Sequence, residues 1–519
     1  MKLNYKRTIL VGFAFFLISA FWQAYDNTIP MILTNKFGMS QTWSGLIMAM
    51  DNVLALFLLP LFGAISDKHM GKRGRRTPFI LVGTILAAVA LIALSFVDNA
   101  QLKNLAEVSA IDDPAALHVI YDSQKDAELL TPGGEKFVLS EKFSADEFAA
   151  IRSKVTNADN TESTNPDYTA YVMPARQAYA WQVTAESPAT LVFFVALLLV
   201  VLVSMATFRS PAVALMPDVT MKPLRSKANA IINLMGSAGG ILVLVLGMVF
   251  ATSAVRNSLM SYTGFFAAVA AIMLVALAVF LTTVRERDWA AQMRADSIKY
   301  GIEEESEETE EAGSRGLTAE EKRSLIFILL SIVLWFFGYN AVTSKYSVYA
   351  SNILHKDYNL TLIIAQGAAI ISYLPVGFVA SRVGRKKTIM AGVIMLTTAF
   401  ALASFMRADS PAMVMNALFA LAGIAWATIN VNSFPMVVEL CSGGNVGKYT
   451  GFYYTASMAA QVATPMVSGF LMDKMGMMVL FPYAAVFTAL AFVTMHFVRH
   501  GDSKPESKKG LEALEGAED

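Results

Sequence analysis

The chain has 519 residues, of which 55% are hydrophobic and only 16% are charged, whereas soluble domains carry roughly 25% charged residues. Basic and acidic residues number 41 each, so the net charge is zero and gives no sign of a nucleic-acid partner. Cys441 is the only cysteine, which excludes an intramolecular disulfide and a cysteine-based metal site. The composition indicates a membrane protein that needs neither a metal nor another cofactor.

Twelve apolar segments follow one another along the chain, each close to the 20 residues that cross a bilayer as a helix. The first lacks the cleavage site of a signal peptide, so we interpret it as a membrane span. The predicted spans are 8–30, 44–65, 78–97, 190–207, 229–254, 262–284, 325–348, 362–381, 388–405, 413–438, 451–472 and 478–498. They predict an all-α membrane protein with twelve transmembrane helices in two pseudo-symmetric six-helix bundles.

The predicted organisation has four parts. An N-terminal bundle covers 1–284, an acidic cytoplasmic linker 285–323, a C-terminal bundle 324–498 and a cytoplasmic tail 499–519. The linker contains five glutamates at 303–308, a run that repels itself and stays solvated. A linker role is favoured, with binding of a partner as the alternative.

Lysine and arginine are concentrated in the loops after the second, fourth and eighth spans. Because such loops stay in the cytoplasm, both termini are predicted to be cytoplasmic and the cell membrane is the expected location. The polar segment 98–189 would then lie outside as a small, partly ordered cap, with strand-like and helix-like patterns alternating over 136–154. We expect no chemistry there, with a lid as the alternative.

A repeated motif links the two halves. The second span ends in a stretch with Gly63 and Asp67, followed by Gly74-Arg75-Arg76, and the eighth has Gly377 followed by Gly384-Arg385. A weaker pair places Asp218 after Pro211 and Glu439 after Pro435. A single copy of the motif would suggest only that its basic residues set the orientation of the chain in the membrane. Two copies favour a gate, in which these charges pair when one side of the protein closes. The candidate gating residues are Gly63, Asp67, Arg75, Arg76, Arg209, Asp218, Gly377, Arg385 and Glu439.

The first motif, Gly63-x-x-Ser66-Asp67 with Gly74-Arg75-Arg76-x-Pro78-Phe79-Ile80, resembles the major facilitator superfamily, in particular its sucrose-transporter and related sugar–cation symporter branch. The stretch Arg209-x-Pro211-x-x-Ala214-Leu215-x-x-Asp218, predicted to follow the fourth span, is similar to that branch too. This resemblance implies transport of a sugar by alternating access. Melibiose-type relatives bind sodium through an aspartate pair near the end of the second helix. Only Asp67 matches here, because Gly63 stands at the other position, so a proton is favoured and sodium stays possible.

Two carboxylates are predicted inside the membrane. Asp26 falls in the outer half of the first span and Asp51 in the first third of the second, so both lie at similar depth on adjacent helices. Burial and mutual repulsion favour the protonated form of such groups, which could take up a proton outside and release it inside. The alternative is that they cap a helix or pair with an amide such as Asn52.

Sugar binding requires aromatic platforms and amides, and four spans offer them. The candidates are Trp22, Gln23 and Tyr25 beside Asp26; Trp335, Tyr339 and Asn340; Trp426 and Asn430; and Tyr453 and Gln461. Each could instead be ordinary packing in a membrane helix. The sequence predicts a monomeric, proton-coupled symporter for a sugar or glycoside, with a disaccharide such as sucrose or maltose favoured. The alternatives are a carrier of lysolipids or drug-like compounds, or a non-transporting sensor. The sequence has no nucleophile–base set of an enzyme.

Overall fold

The computed structural model describes residues 3–69, 71–156, 162–221, 224–300, 318–438 and 446–500. The glutamate run at 303–308, Glu439, Cys441 and the tail beyond 500 lie outside the described residues. In chain order the helices are α1 (Tyr5–Asn35), α2 (Gln41–Lys68), α3 (Thr77–Asn104), α4 (Pro114–Gln124), α5 (Leu139–Lys142), α6 (Ala145–Ala150), α7 (Met173–Glu186), α8 (Ala189–Val219), α9 (Arg225–Val249), α10 (Thr263–Thr283), α11 (Glu286–Lys299), α12 (Ala319–Tyr349), α13 (Tyr358–Val383), α14 (Arg385–Ala403), α15 (Ala412–Val438), α16 (Val446–Met475) and α17 (Leu480–His496).

Twelve of these helices in the described ranges are long, six in each half, which confirms the predicted fold class. Ten are long and apolar enough to cross a membrane. The other two, α13 and α16, are 26 and 30 residues long, and two polar residues of α16, Ser457 and Gln461, line a central cavity. Each half has its own buried core, around Phe21 and Phe266 in the first half and around Trp335 and Phe481 in the second. The protein is therefore a multi-pass membrane protein built as two bundles.

The fourth span was predicted too short. It was expected to end at residue 207, whereas α8 continues to Val219 and contains both Pro211 and Pro217. Prolines are tolerated in membrane helices because neighbouring groups satisfy the freed backbone carbonyls. Arg209 was assigned to a loop motif, and this assignment is wrong because its position lies inside the helix.

The segment 98–189 folds into a cap that is better ordered than expected. It contains α4 to α7 and two antiparallel hairpins, β1 (Glu128–Leu130) with β2 (Lys136–Val138) and β3 (Lys154–Thr156) with β4 (Glu162–Thr164). The alternating pattern over 136–154 is confirmed by β2 and α6. The cap has a small core of its own that includes Leu117, Phe148 and Tyr168. We call this end of the bundle the cap end, and the end that carries Arg75 and Arg76 the basic end.

A fully buried ion pair anchors the cap end of the first half. Lys36 Nζ lies 2.6 and 2.7 Å from the two carboxylate oxygens of Asp98, and both side chains are 0% exposed. The ammonium also faces the Tyr262 ring at 4.8 Å. Gln101 Nε2 donates to the Lys36 carbonyl and to Thr184, which ties α1 to α3 and to the last cap helix.

We expect Lys36→Met to destabilise the protein by about 3–5 kcal/mol, because it leaves the Asp98 carboxylate buried without its partner. The double variant Lys36→Met/Asp98→Leu should recover most of this loss, since no charge is then left buried. Thermal unfolding of the purified protein in detergent measures both. A double variant no more stable than the single one would show that the pair is not coupled.

Candidate functional site

A cavity of about 800 Å³ lies between the two halves. The first half forms most of its wall through α1, α2, α8 and α9, and the second half contributes α13 and α16. It begins below the cap end, and its walls continue toward the basic end as far as Leu59 and Pro217. Its polar lining residues are Ser19, Trp22, Gln23, Asp26, Asn52, Arg209, Ser210, Asn233, Ser237, Gln366, Tyr454, Ser457 and Gln461.

Two charged side chains, Asp26 and Arg209, line this cavity, and a third, Asp51, lies within electrostatic range of them. Asp26 opens onto it, and Arg209 from α8 lies close enough to interact electrostatically with both Asp26 and Asp51. Asp26 and Asp51, which the sequence placed at similar depth on adjacent helices, lie close enough to interact electrostatically. Asp51 accepts a 2.8 Å hydrogen bond from Asn52 Nδ2, which is the amide pairing considered as the alternative. The Arg209 guanidinium stands 5.5 Å from the centre of the Trp22 ring, a cation–π distance.

The other sugar-binding candidates divide into two groups. Trp22, Gln23 and Gln461 line the cavity, while Tyr25 is buried behind them with its ring 5.3 Å from that of Trp22. The rest lie outside the lining. Trp335 and Tyr453 are 0% exposed in the core of the second half, Asn430 is 3% exposed, and Tyr339 stacks on Trp426 at 3.6 Å beside Asn340. Sequence spacing could not tell which face of these helices meets the cavity.

Several cavity residues were missed in the sequence. Gln366 Nε2 donates a 2.7 Å hydrogen bond to Gln23 Oε1 and so joins α13 to α1 across the cavity. Ser19, Asn233, Ser237 and Ser457 add small polar groups. Single amides and hydroxyls in apolar helices are the signal that could have identified them, since they carry a cost in lipid and therefore face the bundle interior.

At the cap end the halves are joined by a contact that we call the latch. The Asp473 carboxylate accepts hydrogen bonds from the backbone nitrogens of Gln41 at 2.7 Å and Thr42 at 2.8 Å, and from the Thr42 hydroxyl. Lys345 Nζ, 1% exposed, donates to the Gln41 carbonyl at 2.7 Å. A carboxylate at the first turn of α2 satisfies free amides and the positive end of the helix dipole.

Two glycines allow the helices of the latch to touch. A side chain at Gly45 of α2 would collide with the Pro465 carbonyl of α16, and one at Gly469 with the Gln41 carbonyl. The latch was not predicted from the sequence, because Asp473 lies one residue beyond the predicted end of its span. Lys345, a lysine inside an apolar helix, was a signal that could have found it.

At the basic end, a charge network lies within the first half. Arg76 binds Asp67, Ser66 and Asp218, and Arg75 Nη2 binds Asp218 at 2.6 Å. The network joins α2, α3 and α8, so Asp218, placed after the fourth span by its motif, acts from inside α8. Asp67 is 57% exposed in this pair, whereas Asp218 is 13% exposed.

The remaining gate candidates take simpler positions. Gly63 is packed against Ser210 of α8, and Gly377 is half-buried in α13. Arg385 begins α14 directly after Gly384, whose φ of 101° suits glycine. A further residue, Glu286, was missed. Its buried carboxylate accepts from the backbone nitrogens of Arg75, Arg76 and Thr77 at 2.7–2.8 Å, so the first residue of α11 holds the basic loop.

Curated relatives match this chain over short stretches. A sucrose transport protein of Arabidopsis thaliana, SUC3, is 39% identical over 67 residues, or 13% of this chain and 11% of the relative. The MFS-type transporter ppzB of Metarhizium rileyi is 25% identical over 124 residues, 24% of this chain and 25% of the relative. The chain thus matches a quarter or less of the length of these relatives.

Solved structures match over nearly the whole chain. The inward-open xylose transporter XylE of Escherichia coli has a TM-score of 0.56 at 15% identity, with 99% of each chain covered. A D-xylose–proton symporter has a TM-score of 0.55 at 16% identity, covering 96% of this chain and 99% of that one. At such identities the likeness shows the fold alone.

Two family models match the sequence. A model described as MFS/sugar transport protein matches residues 10–106, which contain α1, α2 and the first basic motif. The Major Facilitator Superfamily model matches residues 177–369 and 352–516, more than half of the chain. The chain therefore belongs to the Major Facilitator Superfamily, a family of membrane transporters and not of enzymes.

Proposed function

We propose that this protein is a proton-coupled symporter of a sugar or glycoside in the cell membrane, with the basic end in the cytoplasm. The observation that carries the proposal is the presence of Asp26 and Arg209 at the wall of a polar cavity between two bundles, with Asp51 within electrostatic range of both. With all three groups ionised, the cluster carries one net negative charge. One proton on a carboxylate neutralises it.

The charge of this cluster supplies a reason for coupling. To change the side on which the cavity opens, the protein passes through a state closed at both ends. A net charge in such a state is costly because little water is left to solvate it. The protonated cluster crosses more readily than the ionised one, so reorientation requires a proton.

The lining of the cavity favours a polyhydroxylated solute. Sugar hydroxyls both donate and accept hydrogen bonds, which suits the amides of Gln23, Gln366 and Gln461, and the Trp22 ring offers an apolar face for a sugar ring. The sugar-transport family model and the resemblance of the first motif to sucrose transporters support the same class. A disaccharide such as sucrose or maltose is the favoured solute.

Uptake into proteoliposomes with an imposed pH gradient tests the proposal. Sucrose, maltose and xylose are the sugar panel, and a nucleoside and a lysolipid represent other solutes. Accumulation of a sugar driven by the pH gradient is expected. Accumulation of only a non-sugar solute would refute the sugar assignment, and dependence on sodium instead would refute the proton.

Asp26→Asn tests the coupling role. The amide is neutral, as the protonated carboxyl is, so the loaded carrier should still exchange sugar across the membrane. Net uphill uptake should fail, because no proton can be released to reset the carrier. Both modes are measured in proteoliposomes, with Asp146→Asn on the exposed cap surface as the control. Uphill uptake equal to the wild type would remove Asp26 from the mechanism.

Asp473→Asn tests the latch. We expect the variant to weaken closure of the cap end, because charge-assisted hydrogen bonds contribute about 1.5–3 kcal/mol each. Loss of one such contribution raises the population open at the cap end about 10- to 100-fold. The measurement is labelling of Gln461→Cys by an impermeant thiol reagent from the cap side, in a Cys441→Ala background. If Gln461→Cys is labelled at the same rate with and without Asp473→Asn, the latch does not hold this end closed.

Within the basic network we expect two aspartates to differ in role, Asp67 in gating and Asp218 in stability. Asp67 pairs with Arg76 but is 57% exposed, so it can meet the second half when the basic end closes. We therefore expect Asp67→Asn to reduce uptake with little change in thermal stability. Asp218→Asn removes the carboxylate that binds Arg75 and one of the two that bind Arg76, and should lower stability by about 1–3 kcal/mol. Uptake and unfolding measured on both variants check this. Full uptake by well-expressed Asp67→Asn would contradict a gating role.

A further inference from the structure

A hydrogen bond between two amides joins the halves inside the central cavity. Gln366 Nε2 of α13 donates to Gln23 Oε1 of α1 at 2.7 Å, and both residues line the cavity. Gln366 lies eight residues after Tyr358, the first residue of α13, which is about 12 Å along the helix. We call this contact the amide bridge. It lies deeper than the latch, in the wall of the cavity itself.

A glycine lets the amide bridge pack closely against a third helix. Gly240 of α9 also lines the cavity, and a Cβ atom there would stand 3.3 Å from Gln23 Oε1 and 3.6 Å from Gln366 Oε1. The first distance is tighter than ordinary van der Waals contact, so a larger residue would press on the bridge. The two amides therefore meet where α1, α9 and α13 come together.

The amide bridge belongs to the state in which the cap end is closed. Gln23 and Gln366 are on opposite halves, so their hydrogen bond must break when the halves separate at the cap end. The same helix α13 is joined to the first half at its start, where Tyr358 Oη lies 2.8 Å from Thr252 Oγ1. Movement of α13 away from the first half breaks this contact and the bridge together.

The amide bridge competes with a solute for the same groups. It uses one acceptor position of Gln23 and one donor of Gln366, and a carboxamide has only two of each. A solute that bonds these positions while the cap end is closed must displace the bridge. When the cap end is open, the separated amides are available without that cost. The solute therefore binds more weakly to the cap-closed state than to the cap-open state.

We propose that Gln366 is a positioning residue that lowers the affinity for the solute in the cap-closed state, because it takes the Gln23 amide from the solute. The inference rests on the proposed function, which places the solute in the central cavity. It gives the amide bridge a role in release, since the solute leaves toward the basic end as Gln366 replaces it on Gln23. By linkage, a bound solute shifts the protein toward the cap-open state.

Cysteine labelling at the cap end measures this shift in the full-length protein. In a Cys441→Ala background, Ser44→Cys is the reporter, because Ser44 is 0% exposed and lies beside Gly45 in the contact of α2 with α16. An impermeant thiol reagent is applied from the cap side, with and without saturating sucrose, or with maltose or xylose if uptake selects one of them. With the amide bridge intact, we expect the solute to raise the labelling rate about 2- to 10-fold, the range for one hydrogen bond.

The variant Gln366→Met keeps the length of the side chain and removes the donor. It should raise the labelling rate without solute by about 2- to 10-fold, because the amide bridge is lost, and the solute should then raise it no further. Gln23→Met breaks the same bond from the other side and serves if Gln366→Met folds poorly. Ser372→Ala is the matched control on α13, because its hydroxyl bonds the Ala368 carbonyl of its own helix. The control should change neither rate.

Two results would overturn the proposal. One is a labelling rate that the solute leaves unchanged while the amide bridge is intact. The other is a solute response in Gln366→Met as large as with the bridge, which would make Gln366 a structural contact only. Either result together with normal sugar uptake refutes this inference alone. Accumulation of only a non-sugar solute refutes the proposed function and, with it, this inference.

Discussion

Charges inside an apolar bundle need partners, and this requirement organises the molecule. Lys36 and Asp98 satisfy each other at the cap end of the first half. Lys345 and Asp473 are satisfied by the backbone of α2. Arg209 faces two carboxylates, so one negative charge there is left over. The first set is fully buried within one half, the second joins the two halves, and the third is the set to which the proposed function assigns the coupling proton.

The two ends of the bundle use charge differently in this state. At the cap end, side chains of the second half bind backbone groups of the first, and the halves meet closely through Gly45 and Gly469. At the basic end, Arg75, Arg76, Asp67 and Asp218 bind one another within one half. Contacts between the two halves join them at the cap end, whereas the charges of the basic network pair within the first half. This asymmetry is that of a cap-closed transporter.

The sequence predicted the helices well and the site only in part. Long apolar segments fix a span by composition alone, and paired motifs identified the repeat, so twelve helices in two halves were predictable. Which face of each helix meets the cavity was not predictable, because a membrane helix is apolar on several faces. Trp22 and Trp335 are alike in sequence, yet one lines the cavity and the other is fully buried. Arg209 was misplaced because the fourth span was taken to end with its apolar run at 207, whereas the helix continues to Val219. Charged and amide residues located the cavity better than aromatic ones, because lipid penalises them on any other face.

The cap is bonded to both halves of the bundle. It is inserted in the first half, between α3 and α8, yet the Pro132 carbonyl accepts a 2.9 Å hydrogen bond from Met478 N of the second half. Thr169 Oγ1 bonds His355 Nε2 at 2.7 Å, also across the halves. Burial lowers the pKa of His355 to about 4, so this imidazole is neutral near pH 7. The ordinary pKa of histidine is 6.5. The neutral ring therefore contributes its full stabilisation above pH 6.5, and this stabilisation is lost as pH falls from 6.5 through about 4. Opening of the cap end must break these contacts together with the latch. The cap therefore adds to the energy that holds this end closed.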